Sequence, residues 1–233
     1  MVHAVLRLFA LTFILIILAV FAVVGLRWMG LQQTFQPPHH PWFERSFWAV
    51  YTPELSELCA KDLDQSPDEK WIVEIPVSLK NESGISHGDS GTWTVPCTVP
   101  IALKDFLART SRRDLLLNVQ AKDTWSLDEL VQIASAFDKS KHFAVATHSQ
   151  KVAAYLRKKA PQWLFAADGA SLLRLRTFSR FWIETAIDFW PDFAIAELQA
   201  KDLPQIDQRM ALELERRHKP IILKWNEGDA ETT

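Results

Sequence analysis

The sequence predicts an α/β domain of parallel strands and covering helices, rolled into a (β/α) barrel, behind one N-terminal membrane-spanning helix. Three observations predict it. Leu8 to Leu26 is an uncharged apolar run flanked by Arg7 and Arg27. From Leu115 onward, short and nearly continuous apolar segments alternate with single amphipathic ones, the pattern of parallel strands covered by helices. Before that, Trp71-Ile72-Val73 runs into Glu74 and the turn-rich Lys80-Asn81-Glu82-Ser83-Gly84 precedes His87, so a carboxylate and a histidine are predicted at one rim of a sheet.

Residues 1–30 form the predicted anchor. At 1.5 Å per residue the apolar run spans about 28 Å, close to a bilayer core. A buried soluble helix and a cleaved signal peptide are the alternatives. Arg27-Trp28-Met29 follows the run in place of a small-residue cleavage site, and a Trp at that depth suits an interfacial anchor. The weak charge asymmetry favours a cytoplasmic N-terminus and an extracytoplasmic domain. Residues 31–44 read as a proline-containing tether. Its His39-His40 pair points to opposite sides of an extended chain and is not read as a metal site.

The domain is predicted over residues 45–227, with a polar tail at 228–233. Phe47 to Tyr51 is the first strand, and Pro53 opens a helix with Glu54 and Glu57 in its first turn. The central strand covers 71–77, and Val99 to Thr110 reads as a short helix on the spacing of Leu103, Phe106 and Leu107. Strand 115–120 is followed by a helix capped by Ser126 and running to Phe137. Strand 142–147, a helix over 150–159, strand 163–167, a Ser171–Trp190 region helical in places, and strand 193–196 come next. Leu203 to His218 is the clearest helix, with Ile206, Met210 and Leu214 as its stripe, and 220–225 is the last strand. About seven strands suit a TIM-type barrel, incomplete or irregular at the C-terminus. An open doubly wound sheet is the alternative.

Composition narrows the function classes. A net charge of −2 and the lack of any long basic run argue against nucleic acid as the partner. No glycine-rich phosphate loop follows a strand, which removes the usual support for nucleotide binding. Cys59 and Cys97 are the only cysteines. They either pair in an oxidising compartment or serve as small buried residues.

These residues, in this order, resemble the glycerophosphodiester phosphodiesterases, which share a barrel with phosphatidylinositol-specific phospholipases. The family's strand–turn–strand motif looks like Glu74-Ile75-Pro76-Val77, Lys80-Asn81-Glu82 and His87-Gly88-Asp89. Its Pro-Glu-Asn before the first helix looks like Pro53-Glu54-Leu55, its Leu-x-Thr-Leu-x-Glu-Val-Leu helix like residues 99–107, and its Glu-x-Lys strand end like Gln120-Ala121-Lys122. Its later strands look like residues 144–149 and Leu223-Lys224-Trp225-Asn226. The likeness spans roughly residues 45 to 226.

The resemblance implies Glu74 as a ligand of Ca²⁺ or Mg²⁺, with Gln120 in the place of another ligand. It implies His87 as the proton carrier facing the leaving alkoxide, and Lys122 as a clamp on phosphate charge. The chain departs from the pattern at three points. Arg45-Ser46 stands where the family has His-Arg-Gly, Pro76 replaces one acidic ligand, and Gln120 replaces a carboxylate. A proline has no ligating side chain, and an amide brings no charge to a hard cation. Glu82 and Asp89 are candidate replacement ligands in the rim loop, and His148 and Glu197 are further rim candidates at strand ends. The expectation is a membrane-bound barrel that has lost the family's hydrolysis and binds a phosphorylated headgroup or a protein partner. An active metal-dependent phosphodiesterase and a structural envelope protein are the alternatives. The aromatic stretch at 178–190 is a further candidate, as an apolar rim beside the bilayer.

Overall fold

The computed structural model describes residues 2–36, 40–44, 49–53, 71–80, 92–97, 99–111, 114–121, 123–197 and 206–226. Helix α1 (Val2–Leu31) is followed by a 3-10 turn at Pro41–Glu44 and then by β1 (Ala49–Thr52), β2 (Trp71–Lys80), β3 (Thr92–Val95) and β4 (Ile101–Ala102). Next come α2 (Leu103–Arg109), β5 (Asp114–Gln120), α3 (Leu127–Ser135), β6 (His142–Ala146), α4 (Gln150–Lys159) and β7 (Leu164–Phe165). The chain continues through α5 (Gly169–Arg180), β8 (Ala194–Glu197), α6 (Gln208–Arg216) and β9 (Ile221–Asn226).

The fold is a mixed α/β arrangement built on a curled parallel sheet. Its parallel strands run in the order β7-β6-β5-β2-β1-β9-β8, with β3 and β4 paired off this path beside β2, so successive parallel strands are sheet neighbours from β1 to β7 and from β8 to β9, and β9 pairs with β1. Curling brings the two edge strands together at one parallel bridge, Ala166 to Phe193. There the Ala167 N–H donates to the Phe193 carbonyl at 2.8 Å and the Asp192 N–H to that of Phe165 at 2.8 Å. A complete eight-stranded barrel is not formed by the described residues.

Strand alternation divides the apolar residues into two layers. Val73, Ile75, Val77, Leu115, Leu117, Val119, Phe143 and Val145 pack outward against α2, α3 and α4. Val50, Ile72, Leu116, Ala144, Leu164, Ala166, Phe193 and Ile222 fill the inside of the curl. Trp42, 1% exposed, joins this inner layer from the 3-10 turn in the stretch read as a tether. Both faces of β5 are covered, which is why Leu115, Leu116 and Leu117 stand consecutively in the sequence.

Several local expectations are corrected. The helix expected over 99–110 begins only at Leu103, because Ile101–Ala102 pairs with β3 as a short strand and Pro100 disfavours helical geometry in Val99. The β3 strand itself, antiparallel to β2, was not predicted. Ser126 does not cap α3 through its side chain; its carbonyl instead accepts from the Trp93 indole N–H at 3.0 Å. Asp168 starts α5, its Oδ1 accepting from the Ser171 N–H at 2.8 Å. Asp207 starts α6 in the same way, accepting from the Met210 N–H at 2.8 Å, so this helix opens later than Leu203. The predicted helix at Pro53 lies outside the described residues beyond Pro53 itself.

The segment Phe9–Leu31 of α1 is long and apolar enough to cross a bilayer, and none of it is buried in the protein over its most apolar window. Its C-terminal turn seats on a 3-10 turn at Glu184–Ala186. Arg27 donates to Glu184 Oε1 at 2.9 Å and to the Trp182 carbonyl at 2.9 Å, and the Thr185 hydroxyl donates to the Arg27 carbonyl at 3.2 Å. The seat is braced from below by Arg217, which is 2% exposed. It pairs with Glu213 and donates to the carbonyls of Glu184 at 3.0 Å and Thr185 at 3.4 Å.

Burial works to raise the Glu213 carboxyl, but hydrogen bonds and charge from Arg216 and Arg217 outweigh it and hold the group below its ordinary range. A depressed carboxyl contributes stability that is present above the unfolded-state value and lost as pH falls through the folded one. Thermal stability is therefore expected to decline on the acid side of the ordinary glutamate range, and Glu213→Gln is expected to flatten that acid limb. An unchanged acid limb in the variant would remove Glu213 from the account.

Candidate functional site

Glu74 sits in the middle of β2, on the strand face that also carries Ile72 and Pro76 and turns toward the inside of the curl. It is 4% exposed. Three neighbouring strands supply its partners. Thr52 ends β1 one position beyond the Tyr51–Val73 pair, and its hydroxyl donates to Glu74 Oε2 at 2.6 Å. Asn118 in β5, opposite Pro76, donates its amide to Oε1 at 2.6 Å. Lys224 in β9, opposite Val50, places its ammonium 3.0 Å from Oε2.

An ionised carboxylate offers about four lone-pair positions. Three donors from three strands therefore nearly saturate Glu74, and the Lys224 charge neutralises it. Burying such a group without these partners costs several kcal/mol. The arrangement is a polar layer toward the C-terminal ends of the strands, above the apolar layer of Val50, Ile72, Leu116 and Ile222.

The other sequence-predicted site residues fall into two groups. His87, Glu82, Asp89 and Lys122 lie outside the described residues. Gln120 is exposed at the end of β5, opposite Ser78. That puts its backbone about 13 Å along the sheet from the level of Glu74, at roughly 3.3 Å per residue, whereas ligands of one Ca²⁺ lie at about 2.3–2.6 Å from it. Glu74 and Gln120 are thus not brought together in the described arrangement. His148 is exposed beyond the end of β6. Glu197 ends β8 with its backbone in register with Lys224, so among the described rim candidates it is the one that the topology sets beside the polar layer. Among the described residues no three His, Cys, Asp or Glu side chains group as a metal centre. A separate groove lined by Gln150, Lys151, Ala154, Arg157, Lys158 and Trp190 lies on the outer side of α4, away from Glu74.

Sequence reasoning missed Thr52 and Asn118 and assigned no role to Lys224. Their signal was present: an Asn interrupts Leu115-Leu116-Leu117-Asn118-Val119, and a Lys interrupts Ile221-Ile222-Leu223-Lys224-Trp225. A polar residue inside an otherwise continuous buried strand needs a partner. Cys97 is disulfide-bonded in a chain whose other cysteine, Cys59, lies outside the described residues.

No family model matches the chain, and no curated protein matches it.

Proposed function

We propose that this protein is a membrane-anchored barrel of the glycerophosphodiester phosphodiesterase type that binds a phosphorylated headgroup without the metal-dependent hydrolysis of that family. One observation carries the reading. The cation beside Glu74 is the Lys224 ammonium at 3.0 Å, so the carboxylate that the resemblance makes a metal ligand already has a built-in counter-ion. A metal ion would have to displace it, with Pro76 and Gln120 supplying no further charge. The order of seven parallel strands in a sheet whose edges meet supports a barrel of this type. The disulfide at Cys97 supports an oxidising, extracytoplasmic setting for the domain, and α1 supports single-pass anchoring.

The test is isothermal titration of the full chain in detergent with Ca²⁺, Mg²⁺ and glycerol phosphate, using wild type and Glu74→Gln. Wild type is expected to bind glycerol phosphate and to show no response to either metal at millimolar concentration. Glu74→Gln removes the carboxylate charge beside Lys224, so the anion is expected to bind severalfold tighter. Micromolar Ca²⁺ or Mg²⁺ binding that disappears in Glu74→Gln would overturn the proposal in favour of an active phosphodiesterase. No binding of any of the three would leave the polar layer with a purely structural role and would overturn it too.

A further inference from the structure

The end of α5 and the seat of α1 form one continuous surface. Arg180 closes α5, and Phe181 and Trp182 follow it with side chains turned outward, 66% and 56% exposed. Trp182 has a positive φ of 64°, a backbone conformation that a bulky residue rarely adopts. Its ring does not turn into the core. It lies against two guanidinium groups, Arg209 at 4.4 Å and Arg27 at 5.9 Å from its centroid. Trp28, on the adjoining position of α1, is 62% exposed.

The level of this surface follows from the docking contacts. Arg27 lies one helical turn, about 6 Å, before the end of α1, and it bonds the Trp182 carbonyl directly. Trp182 therefore stands beside the boundary between the apolar run and its first charge, the level at which tryptophans collect at membrane interfaces. Phe181 and Trp182 are held there by a turn that is itself bolted to α1. Exposed aromatics among arginines are poorly suited to water alone and well suited to the headgroup region.

We propose that Arg180, Phe181, Trp182 and Arg209 form an interfacial seat on an anionic phospholipid surface, the surface of the same bilayer that α1 crosses. The aromatic rings enter the headgroup region and the guanidinium groups take lipid phosphates and anionic headgroups. This inference rests on the reading of α1 as the membrane anchor and is independent of the Glu74 layer.

The experiment uses the full chain in vesicles of phosphatidylcholine with and without phosphatidylglycerol. Flotation tests the anchor, and electron-spin resonance of spin-labelled phosphatidylglycerol and phosphatidylcholine reads lipid selectivity. Each arginine near an anionic surface is worth roughly a fivefold preference at most. Wild type is expected to favour phosphatidylglycerol at least threefold, and Arg180→Gln/Arg209→Gln to fall close to parity. Shallow spin-labelled lipid is also expected to quench tryptophan emission more in wild type than in Trp182→Phe, a comparison that leaves the arginines in place. Failure to float would overturn the anchor reading and this one together. Flotation with equal selectivity in both proteins, or with equal quenching in wild type and Trp182→Phe, would overturn the seat alone.

Discussion

Lys224→Met is expected to destabilise the domain by about 3–5 kcal/mol, because it leaves the Glu74 carboxylate buried without a counter-ion. The side chains of Glu74 and Lys224 are 6% and 17% exposed, so solvent cannot replace the lost charge. Thr52 and Asn118 would still donate, but two neutral donors do not neutralise an ion. Glu74→Met/Lys224→Met should recover much of the loss, since an apolar pair of similar volume removes both desolvation costs. Urea denaturation of the full chain in detergent, monitored by tryptophan emission, gives the comparison. A single variant within about 1 kcal/mol of wild type would mean that the pair is solvated and carries little of the sheet's cohesion. A double variant as poor as the single would point instead to packing around the Lys224 stem.

Gly30→Ala is the second large effect. A Cβ at this position would stand 2.3 Å from the Thr185 carbonyl oxygen and 2.5 Å from its carbon. Both atoms are backbone, and Arg217 holds that carbonyl from the other side, so neither can give way cheaply. Overpacking of this kind costs about 1–3 kcal/mol, enough to raise the undocked fraction of α1 roughly tenfold. The substitution simultaneously improves helix propensity by about 1 kcal/mol, so loss of docking cannot be ascribed to a weakened helix. Limited proteolysis of the residues joining α1 to the domain should accelerate about tenfold in the variant while the domain's melting is nearly unchanged. Equal cleavage rates would show that α1 and the 3-10 turn at Glu184–Ala186 are not held together in solution.

The positions of the parallel strands were legible because buried parallel strands are almost continuously apolar: Leu115 to Val119 and Ile221 to Trp225 declare themselves by composition. The stripe of Ile206, Met210 and Leu214 likewise marked α6, and all three are buried. Which strand lies beside which is a different kind of information. Lys224 meets Glu74 only because β9 pairs with β1, and no spacing in the sequence encodes that register. Thr92-Trp93-Thr94-Val95 carried an alternating β signal, but it sits between turn-rich stretches and did not suggest a strand returning on β2. The seat of α1 was hidden for a related reason. Gly30 and Thr185 are ordinary residues until the fold sets one against the other. The aromatic stretch at 178–190 was seen as a whole, yet its members divide: Phe189 is core at 5% exposure whereas Phe181 and Trp182 face outward.

The pairing of β9 with β1 has a consequence for how the molecule is made. Its pairs, Ala49 with Leu223 through Thr52 with Asn226, join the first described strand to the last. Every other parallel pair links strands that follow one another along the chain, once the antiparallel β3–β4 excursion between β2 and β5 is passed over. A growing chain can therefore stack β1 through β7 as each emerges. It cannot complete the sheet until the final strand has left the ribosome. Until then Glu74 has its hydroxyl and amide partners but no ammonium, and β1 keeps an open edge. Closure must wait for a contact between distant parts of the chain, the kind of step that slows folding most. The nascent domain remains an unfinished sheet until β9 arrives.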